Sequence, residues 1–202
     1  MIKNIILDVG KVLIAWDPER AFRKMGLGEA EAKAVADATI NTPIWTETDR
    51  GVWPAEKILN AFYKAAPQYE NEVKWFWEHI DLATEQFPYT KDWIRSMKEQ
   101  GLHVYILSNY GEQTFELTKN KTLDFLPLTD GSIFSYTVKT IKPEAEIFKI
   151  LLDRYELMPD ECVFIDDCLQ NIKGANAVGI HGIHFKDINQ VKVDLKNNNF
   201  FK

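Results

Sequence analysis

The chain has 202 residues, a length that suits one or two modest domains with a buried core. Hydrophobic residues make up 46% of it and charged residues 27%, which is ordinary for a soluble globular protein. The net charge of −6 and the pI near 5.3 argue against a nucleic-acid partner, because binding to a phosphate backbone normally requires a basic surplus or patch.

The first residues lead directly into an apolar run, without the charged, apolar and cleavage regions of a secretory signal. No apolar stretch approaches the roughly 20 residues that a membrane helix requires. Cys162 and Cys168 are neither numerous nor spaced as a CxxC pair, which fits a reducing compartment. We therefore expect a cytoplasmic protein with no membrane partner.

The first predicted strand, at residues 4–8, ends on a carboxylate. Ile5, Ile6 and Leu7 form an apolar run that is typical of a buried parallel strand, and Asp8 follows at its C-terminal end. Open α/β sheets bind their ligands at that end of the strands. Asp8 is therefore the first candidate site residue.

Residues 16–88 show helical patterns and no convincing strand. The helical patterns cover residues 18–25, 29–39, 54–65 and 70–83. Asp17, followed by Pro18 and Glu19, is a typical helix start with Asp17 as the N-cap. Five of the six tryptophans lie in this segment, and packing within a small helical bundle is their expected role. We predict that residues 16–88 form an inserted α-helical cap.

Strands and helices alternate in the rest of the chain. Strand-like runs lie at residues 103–107, 162–165 and 180–185, with a further short strand predicted around 135–139. Helical patterns lie at residues 91–100, 112–119, 144–156 and 169–178. Such alternation is typical of βαβ units, and so of an α/β fold with a Rossmann-like parallel sheet between layers of helices. The α/β core then comprises residues 1–15 and 89–202.

Polar side chains also follow the later strands. Ser108 and Asn109 follow one strand, Asp166 and Asp167 follow another, and Lys142 precedes a helical stretch. Each signal alone also fits a helix cap, a turn or a solvated loop. Their order and their shared position at strand ends favour a common site with the carboxylate of the first strand.

This group of residues has the chemistry to process a phosphate monoester. The Asp8 carboxylate can attack phosphorus in line and form an aspartyl-phosphate that water later hydrolyses. Lys142 can neutralise charge on the transferring group, while the Ser108 hydroxyl and the Asn109 backbone N–H can donate hydrogen bonds to its oxygens.

The same group can also hold Mg²⁺, which prefers hard oxygen ligands. Asp8, the backbone carbonyl of Gly10 and Asp167 can supply such ligands. Asp166 is adjacent to Asp167, and two neighbouring carboxylates need a positive neighbour to stay ionised. A metal ion together with Lys142 meets that need.

The residues at these positions resemble the motifs of the haloacid dehalogenase superfamily. The motifs occur in order as ILDVGKVL, ILSN, IKPEAEIF and VFIDD followed by LQNIKGANAVGI, and together they cover nearly the whole chain. A helical cap between the first two motifs is similar to one cap class of that superfamily. The segment from Asp49 to Val52 resembles the Arg-Gly turn in caps of the branch that contains bacterial glucose-1-phosphate phosphatase and the phosphatase domain of soluble epoxide hydrolase.

The resemblance implies a role for each candidate residue. Asp8 is the expected nucleophile and Lys142 the expected catalytic cation. The expected phosphate-binding residues are Ser108, Asn109 and Lys142. The expected magnesium ligands are Asp8, the Gly10 carbonyl and Asp167, with Asp166 as the alternate ligand. Arg50 is the cap residue expected to contact the substrate or its phosphate.

Position 10 departs from the family pattern. Family phosphatases usually have a second aspartate two residues after the nucleophile, which protonates the leaving oxygen, and this chain has Gly10 there. A general acid typically contributes about 10²–10⁴-fold to the rate. The glucose-1-phosphate phosphatase branch is similar in having glycine at this position. Asp17 is the stand-in acid that the sequence offers, although its pattern favours the N-cap role.

We therefore predict a Mg²⁺-dependent phosphatase that acts on a small phosphorylated metabolite, with a sugar phosphate as one candidate. Two alternatives stay open at this point. A protein without the general acid can bind phosphorylated metabolites with little or no turnover, and a dehalogenase uses the same carboxylate without a metal ion. The oligomeric state, monomer or homodimer, is open as well.

Overall fold

The computed structural model describes residues 1–197 of the chain. Its strands are β1 Asn4–Leu7, β2 Ile14–Trp16, β3 Thr84–Gln86, β4 His103–Ser108, β5 Gly131–Phe134, β6 Cys162–Asp166 and β7 His181–His184. Its α-helices are α1 Pro18–Met25, α2 Glu29–Ala38, α3 Pro43–Arg50, α4 Ala55–Ala65, α5 Glu70–Glu78, α6 Thr90–Glu99, α7 Glu112–Thr118, α8 Ser135–Val138, α9 Ala145–Arg154, α10 Leu169–Ala177 and α11 Ile188–Asn197. Within this part of the chain, no helix has the length and apolar character needed to cross a membrane.

The main sheet consists of five parallel strands in the order β5-β4-β1-β6-β7. β1 lies at its centre, where Leu7 pairs with Ile106 of β4 and with Ile165 of β6. Every residue of β1 is buried, as expected for a parallel strand with helices on both faces of its sheet. The α/β fold with a Rossmann-like parallel sheet is confirmed.

Side chains of β1 alternate between two apolar clusters, one on each face of the sheet. Ile5 and Leu7 belong to the cluster that includes Trp93 of α6. Ile6 belongs to the second cluster, where Phe148 of α9 and Phe164 of β6 meet edge to face with ring centroids 5.5 Å apart. Burial of each such side chain contributes roughly 1.5–3 kcal/mol, which holds the strand ends in fixed positions.

The predicted core elements match the structure to within two residues at each end, with one exception. The strand predicted around residues 135–139 is wrong, because the strand is β5 and Ser135 begins the short helix α8. The Ser135 hydroxyl accepts a hydrogen bond from the Tyr110 N–H at 2.9 Å and donates one to the Asp49 carbonyl at 2.5 Å. These tertiary contacts override the strand preference of the local sequence.

The helices α1 to α5 form the predicted helical cap around a third apolar cluster. Phe22 of α1 packs on Phe76 of α5 with ring centroids 4.9 Å apart, and both rings are buried. Trp45 of α3 contacts Phe76 and also Phe62 of α4. Three predicted cap helices match, whereas the predicted helix at residues 70–83 ends at Glu78 and α3 had no predicted counterpart.

A two-stranded antiparallel ribbon connects the cap and the sheet. It pairs Ala15 of β2 with Glu85 of β3. The prediction that residues 16–88 contain no strand is therefore wrong at both ends of the segment. Strands of three residues are too short to show a periodic pattern, and this pair forms only because distant parts of the chain meet. We propose that the ribbon is the boundary between the core and the cap.

Candidate active site

Asp8 lies at the carboxyl edge of the sheet, one residue after β1. Its backbone N–H donates to the Ile165 carbonyl at 3.0 Å, so the pairing with β6 continues to this residue. Its side chain is 10% exposed and borders a cavity of about 200 Å³. The chain then turns sharply, with the Val9 carbonyl accepting from the N–H of Leu13, and this turn places Gly10 at the same cavity.

Lys142 lies between two carboxylates below the cavity. Its ammonium nitrogen is 2.7 Å from Asp8 Oδ1 and 2.6 Å from Asp166 Oδ2, and its side chain is only 1% exposed. The Asn109 side chain holds the Lys142 main chain with two hydrogen bonds, from Nδ2 to the carbonyl at 3.0 Å and from the Lys142 N–H to Oδ1 at 2.7 Å. Lys142 is thus fixed by side chains at the carboxyl ends of three different strands.

Burial and charge act in opposite directions on this group. Burial raises the pKa of Asp8 above its ordinary value, while the ammonium of Lys142 counteracts part of that rise. Burial alone would lower the pKa of Lys142, but the charges of Asp8 and Asp166 raise it above its ordinary value. Lys142 therefore stays protonated and supplies a permanent positive charge beside the Asp8 carboxylate.

The two aspartates at the end of β6 have different environments. Asp166 is fully buried, and its carboxylate accepts hydrogen bonds from Lys142, from the Cys168 N–H at 2.7 Å and from Asn171 Nδ2 at 3.0 and 3.1 Å. The Asp167 side chain is 29% exposed and borders the cavity. Burial, followed by the charge of Asp166, raises the pKa of Asp167. Asp167 is consequently the more accessible of the two to a ligand.

The carboxylates have the composition and spacing of a divalent-cation site. Asp8, Asp166 and Asp167 each offer an oxygen within 4.8 Å of the others, and the Gly10 backbone borders the same cavity. These are hard oxygen donors, which suit Mg²⁺ rather than softer metals. Three carboxylates against two ammonium groups, those of Lys142 and of Lys11, whose Nζ lies 3.7 Å from Asp167 Oδ2, still leave an excess of negative charge for a cation to neutralise. The residues present therefore fit a magnesium ion.

Ser108 and Asn109 border the cavity on the β4 side. Ser108 is the last residue of β4 and is 2% exposed. The Asn109 side chain is hydrogen-bonded to the Lys142 main chain, so the backbone N–H of Asn109 is the group predicted to face a phosphate. The structure thus brings Asp8, Gly10, Asp167 and Lys142 to one cavity together with these two residues.

The cap and the ribbon supply the opposite side of the cavity. Trp16 at the end of β2 and Trp45 of α3 border it, with ring centroids 5.8 Å apart. Asp49, in the last turn of α3, borders it as well, and the Gly111 N–H favours the ionised form of its carboxyl. Asp49 is a cavity residue that the sequence did not predict as part of the site. The sequence feature that could have indicated Asp49 is its position directly before the Arg-Gly turn that faces the core.

Two residues that the sequence singled out lie elsewhere. Arg50 points away from the group around Asp8, because its guanidinium forms a bidentate ion pair with Glu144 at 2.9 and 2.7 Å. The hydrogen bond from Arg50 lowers the pKa of Glu144 to about 2. Asp17 caps α1 by accepting from the Arg20 N–H at 3.1 Å and is not among the residues around the cavity. Its predicted N-cap role is confirmed.

Comparison with known proteins gives one family match and several relatives. The model of a family described as haloacid dehalogenase-like hydrolase matches residues 2–179. The drimenol cyclase drtB of Aspergillus calidoustus is 27% identical over 205 residues, which cover 98% of this chain but 36% of that protein. The chain therefore spans about a third of that relative's length.

Two further relatives match over most of both chains. The D-ribitol-5-phosphate phosphatase of Bacteroides thetaiotaomicron is 27% identical over 193 residues, which cover 89% of each protein. A HAD family enzyme from Bacteroides thetaiotaomicron, solved as a complex with magnesium and inorganic phosphate, has a TM-score of 0.73 and 25% identity. That structural match covers 95% of this chain and 99% of the other.

Proposed function

We propose that this chain, which belongs to the family of haloacid dehalogenase-like hydrolases, is a magnesium-dependent phosphatase for a small phosphorylated metabolite. One observation carries the proposal. The Asp8 carboxylate lies 2.7 Å from the buried ammonium of Lys142, at a cavity that Ser108, Asn109 and Asp167 also border. The residues proposed as nucleophile, phosphate-binding groups and metal ligands thus lie at one cavity, which supports phosphoryl transfer there.

The first step of the proposed reaction is attack by an Asp8 oxygen on phosphorus. The new oxygen–phosphorus bond forms as the ester bond breaks, and its electron pair goes to the leaving oxygen. Lys142 offsets the negative charge on the transferring group, and the Ser108 hydroxyl donates a hydrogen bond to one of its oxygens. The product is an aspartyl-phosphate on Asp8, and the dephosphorylated alcohol departs.

The second step returns the enzyme to its starting state. Water attacks phosphorus, the bond to Asp8 breaks, and inorganic phosphate leaves while the carboxylate is regenerated. Asp8, the Gly10 carbonyl and Asp167 would hold the magnesium ion, with Asp166 behind them. When bound, the ion neutralises negative charge on the phosphate. The site does not provide this alone, because its carboxylates outnumber its ammonium groups.

The cavity supports a small substrate. Its volume of about 200 Å³ is below the 300–1,000 Å³ that is typical of pockets for drug-sized ligands. Trp16 and Trp45 offer an apolar surface beside polar groups, which suits a sugar or polyol with one apolar face. The relative that acts on D-ribitol-5-phosphate supports a substrate of this class.

Replacement of Asp8 tests the proposal. An Asp8→Asn variant has an amide in place of the nucleophile, so we expect nearly complete loss of p-nitrophenyl phosphate hydrolysis with Mg²⁺. The matched control is Asp92→Asn, which changes an exposed aspartate paired with Arg95 on α6 and should retain the wild-type rate. An Asp8→Asn variant that keeps the wild-type rate rejects the proposal.

Wild-type measurements distinguish the alternatives. Full activity on a haloacid in EDTA would indicate metal-independent release of halide. No turnover of any phosphate ester, combined with a higher melting temperature in vanadate, would indicate a protein that binds phosphorylated metabolites without hydrolysing them.

A further inference from the structure

The core presents no acid to the leaving oxygen at the usual position. Gly10, two residues after Asp8, has no side chain, and a Cβ built there has no atom within 4 Å. The space at the cavity beside Asp8 is therefore open rather than filled by another core residue. An alkoxide is a poor leaving group, so the proposed reaction needs a proton from elsewhere.

Asp49 is a carboxyl group from the cap at that cavity. It lies in the last turn of α3 and borders the space that Asp8 and Gly10 border from below. The loop after β4 approaches α3 closely at Gly111, whose N–H lowers the pKa of the Asp49 carboxyl. Gly111 permits this approach, because a Cβ there would lie 2.9 Å from Thr48 Cγ2 and 3.1 Å from the Thr48 carbonyl oxygen.

We propose that Asp49 is the general acid and base of the reaction, supplied by the cap in place of a core residue at position 10. The inference rests on the proposed phosphatase function. In the first step the Asp49 carboxyl O–H gives its proton to the ester oxygen as the bond to phosphorus breaks. In the second step the Asp49 carboxylate takes a proton from the water that attacks the phosphorylated Asp8, which restores the acid.

The electrostatics of the cavity agree with this assignment. Enclosure of the carboxyl and, to a smaller extent, the charge of Asp8 raise the pKa of Asp49 to about 7, while Lys142 and the Gly111 N–H oppose the rise. A carboxyl group in this range can both give and accept a proton near neutral pH, which a group acting in both steps must do.

Three contacts fix the turn that carries Asp49 on the core. The Ser135 hydroxyl donates to the Asp49 carbonyl at 2.5 Å, and the Lys139 ammonium donates to the Gly51 carbonyl at 2.6 Å. Arg50 adds the bidentate pair with Glu144, two residues after Lys142. These contacts exist only while the cap lies on the core, so the acid is in place only when the cavity is covered. Arg50 is accordingly a positioning residue.

The leaving group provides the test. Asp49→Asn keeps the size of the side chain and removes its ability to transfer a proton. For an alkyl ester such as D-ribitol-5-phosphate, we expect kcat/KM to fall by about 10²–10⁴-fold, the usual contribution of a general acid. For 2,4-dinitrophenyl phosphate, whose phenolate departs without a proton, kcat/KM should stay close to the wild-type value.

The second step gives an independent readout. With the activated ester, Asp49→Asn should release one dinitrophenolate per enzyme in a fast burst and then turn over slowly. The reason is that no base then activates the water that hydrolyses the phosphorylated Asp8. A double variant, Gly10→Asp with Asp49→Asn, should recover alkyl phosphate turnover, since the space at position 10 is open. Circular dichroism and melting curves verify that each variant is folded.

The controls separate this inference from the proposed function. Asp17→Asn, which alters another cap acid outside the cavity, should match the wild type on both esters. Arg50→Gln should weaken alkyl phosphate hydrolysis more than dinitrophenyl phosphate hydrolysis. Asp8→Asn should hydrolyse neither ester, and hydrolysis of either one by this variant would reject the phosphatase proposal itself. If kcat/KM of Asp49→Asn falls equally for both esters, or stays at the wild-type value for the alkyl phosphate, the assignment of Asp49 is overturned while the phosphatase proposal stands.

Discussion

The substitution Lys142→Met is predicted to destabilise the fold, because it leaves two buried carboxylates without their shared cation. The ammonium lies 2.7 Å from Asp8 and 2.6 Å from Asp166, and the three side chains are 1%, 10% and 0% exposed. Removing one partner of a buried ion pair costs about 3–5 kcal/mol. For a chain of this length, each kcal/mol lowers the melting temperature by roughly 2–4 °C, so we expect a fall of about 6–20 °C.

The loss should depend on pH in a defined direction. Lys142 lowers the pKa of Asp8, so in the variant that pKa rises further above its ordinary value of 3.8. A carboxyl group with a raised pKa in the folded state adds stability below its unfolded pKa and loses it as the pH rises through the folded pKa. The difference in the free energy of unfolding between the wild type and Lys142→Met should therefore be larger near pH 8 than near pH 5.

Urea denaturation in EDTA measures this difference, because no divalent cation can then substitute for the lysine. Leu151→Ala, which truncates a buried side chain of α9, is a control whose loss of stability should not change with pH. If Lys142→Met unfolds within about 1 kcal/mol of the wild type near pH 8, or loses the same stability at both pH values, the electrostatic account of the site is wrong.

Three more predictions concern the metal, the loop and the sheet. Mg²⁺ at 100 times its Kd should stabilise the wild type by about 2.7 kcal/mol and so raise its melting temperature, and Asp167→Asn should abolish that rise. An unchanged rise in a fluorimetric melt of the variant contradicts Asp167 as a ligand. Asn109→Ala removes two hydrogen bonds to the Lys142 main chain and should lower the free energy of unfolding in urea by about 1–3 kcal/mol. Its KM for phosphate esters should also rise, and an unchanged KM argues against the positioning role of Asn109. Gly131→Ala would place a Cβ 2.3 Å from the Tyr155 ring and should cost about 1–3 kcal/mol in the same assay, whereas a variant of wild-type stability contradicts the close approach of β5 to that ring.

Four of the five strands of the main sheet were predictable from sequence because their signals are local, whereas β5 was misplaced. Apolar runs mark the strands, and a parallel arrangement brings their carboxyl ends to one edge. Asp8, Ser108 and Asp167 each follow or end such a run, so their meeting at one cavity follows from the topology alone. The ribbon of β2 and β3 has no comparable signal, because it depends on two short segments meeting from distant parts of the chain.

The cap side of the site was not predictable in the same way. α3 has eight residues, and only its contact with the loop after β4 and with α8 decides which of its polar side chains faces the cavity. Asp49 and Arg50 are adjacent, so their side chains point to different sides of the helix: one borders the cavity and the other pairs with Glu144. The periodicity of α3 alone does not distinguish these two orientations.

A site divided between core and cap changes what a substrate screen measures. In the proposed mechanism the core supplies the nucleophile and Lys142, which suffice for the first step with an ester whose leaving group departs without a proton. Natural alkyl phosphates would additionally need Asp49, and so a closed cap whose Trp45 contacts the rest of the substrate. The first release of the aryl leaving group from an activated phosphate would therefore report on the core chemistry and overlook selection by the cap. A screen with alkyl phosphates, repeated with Asp49→Asn, would show which substrates depend on cap closure, and these are the candidates for the physiological substrate.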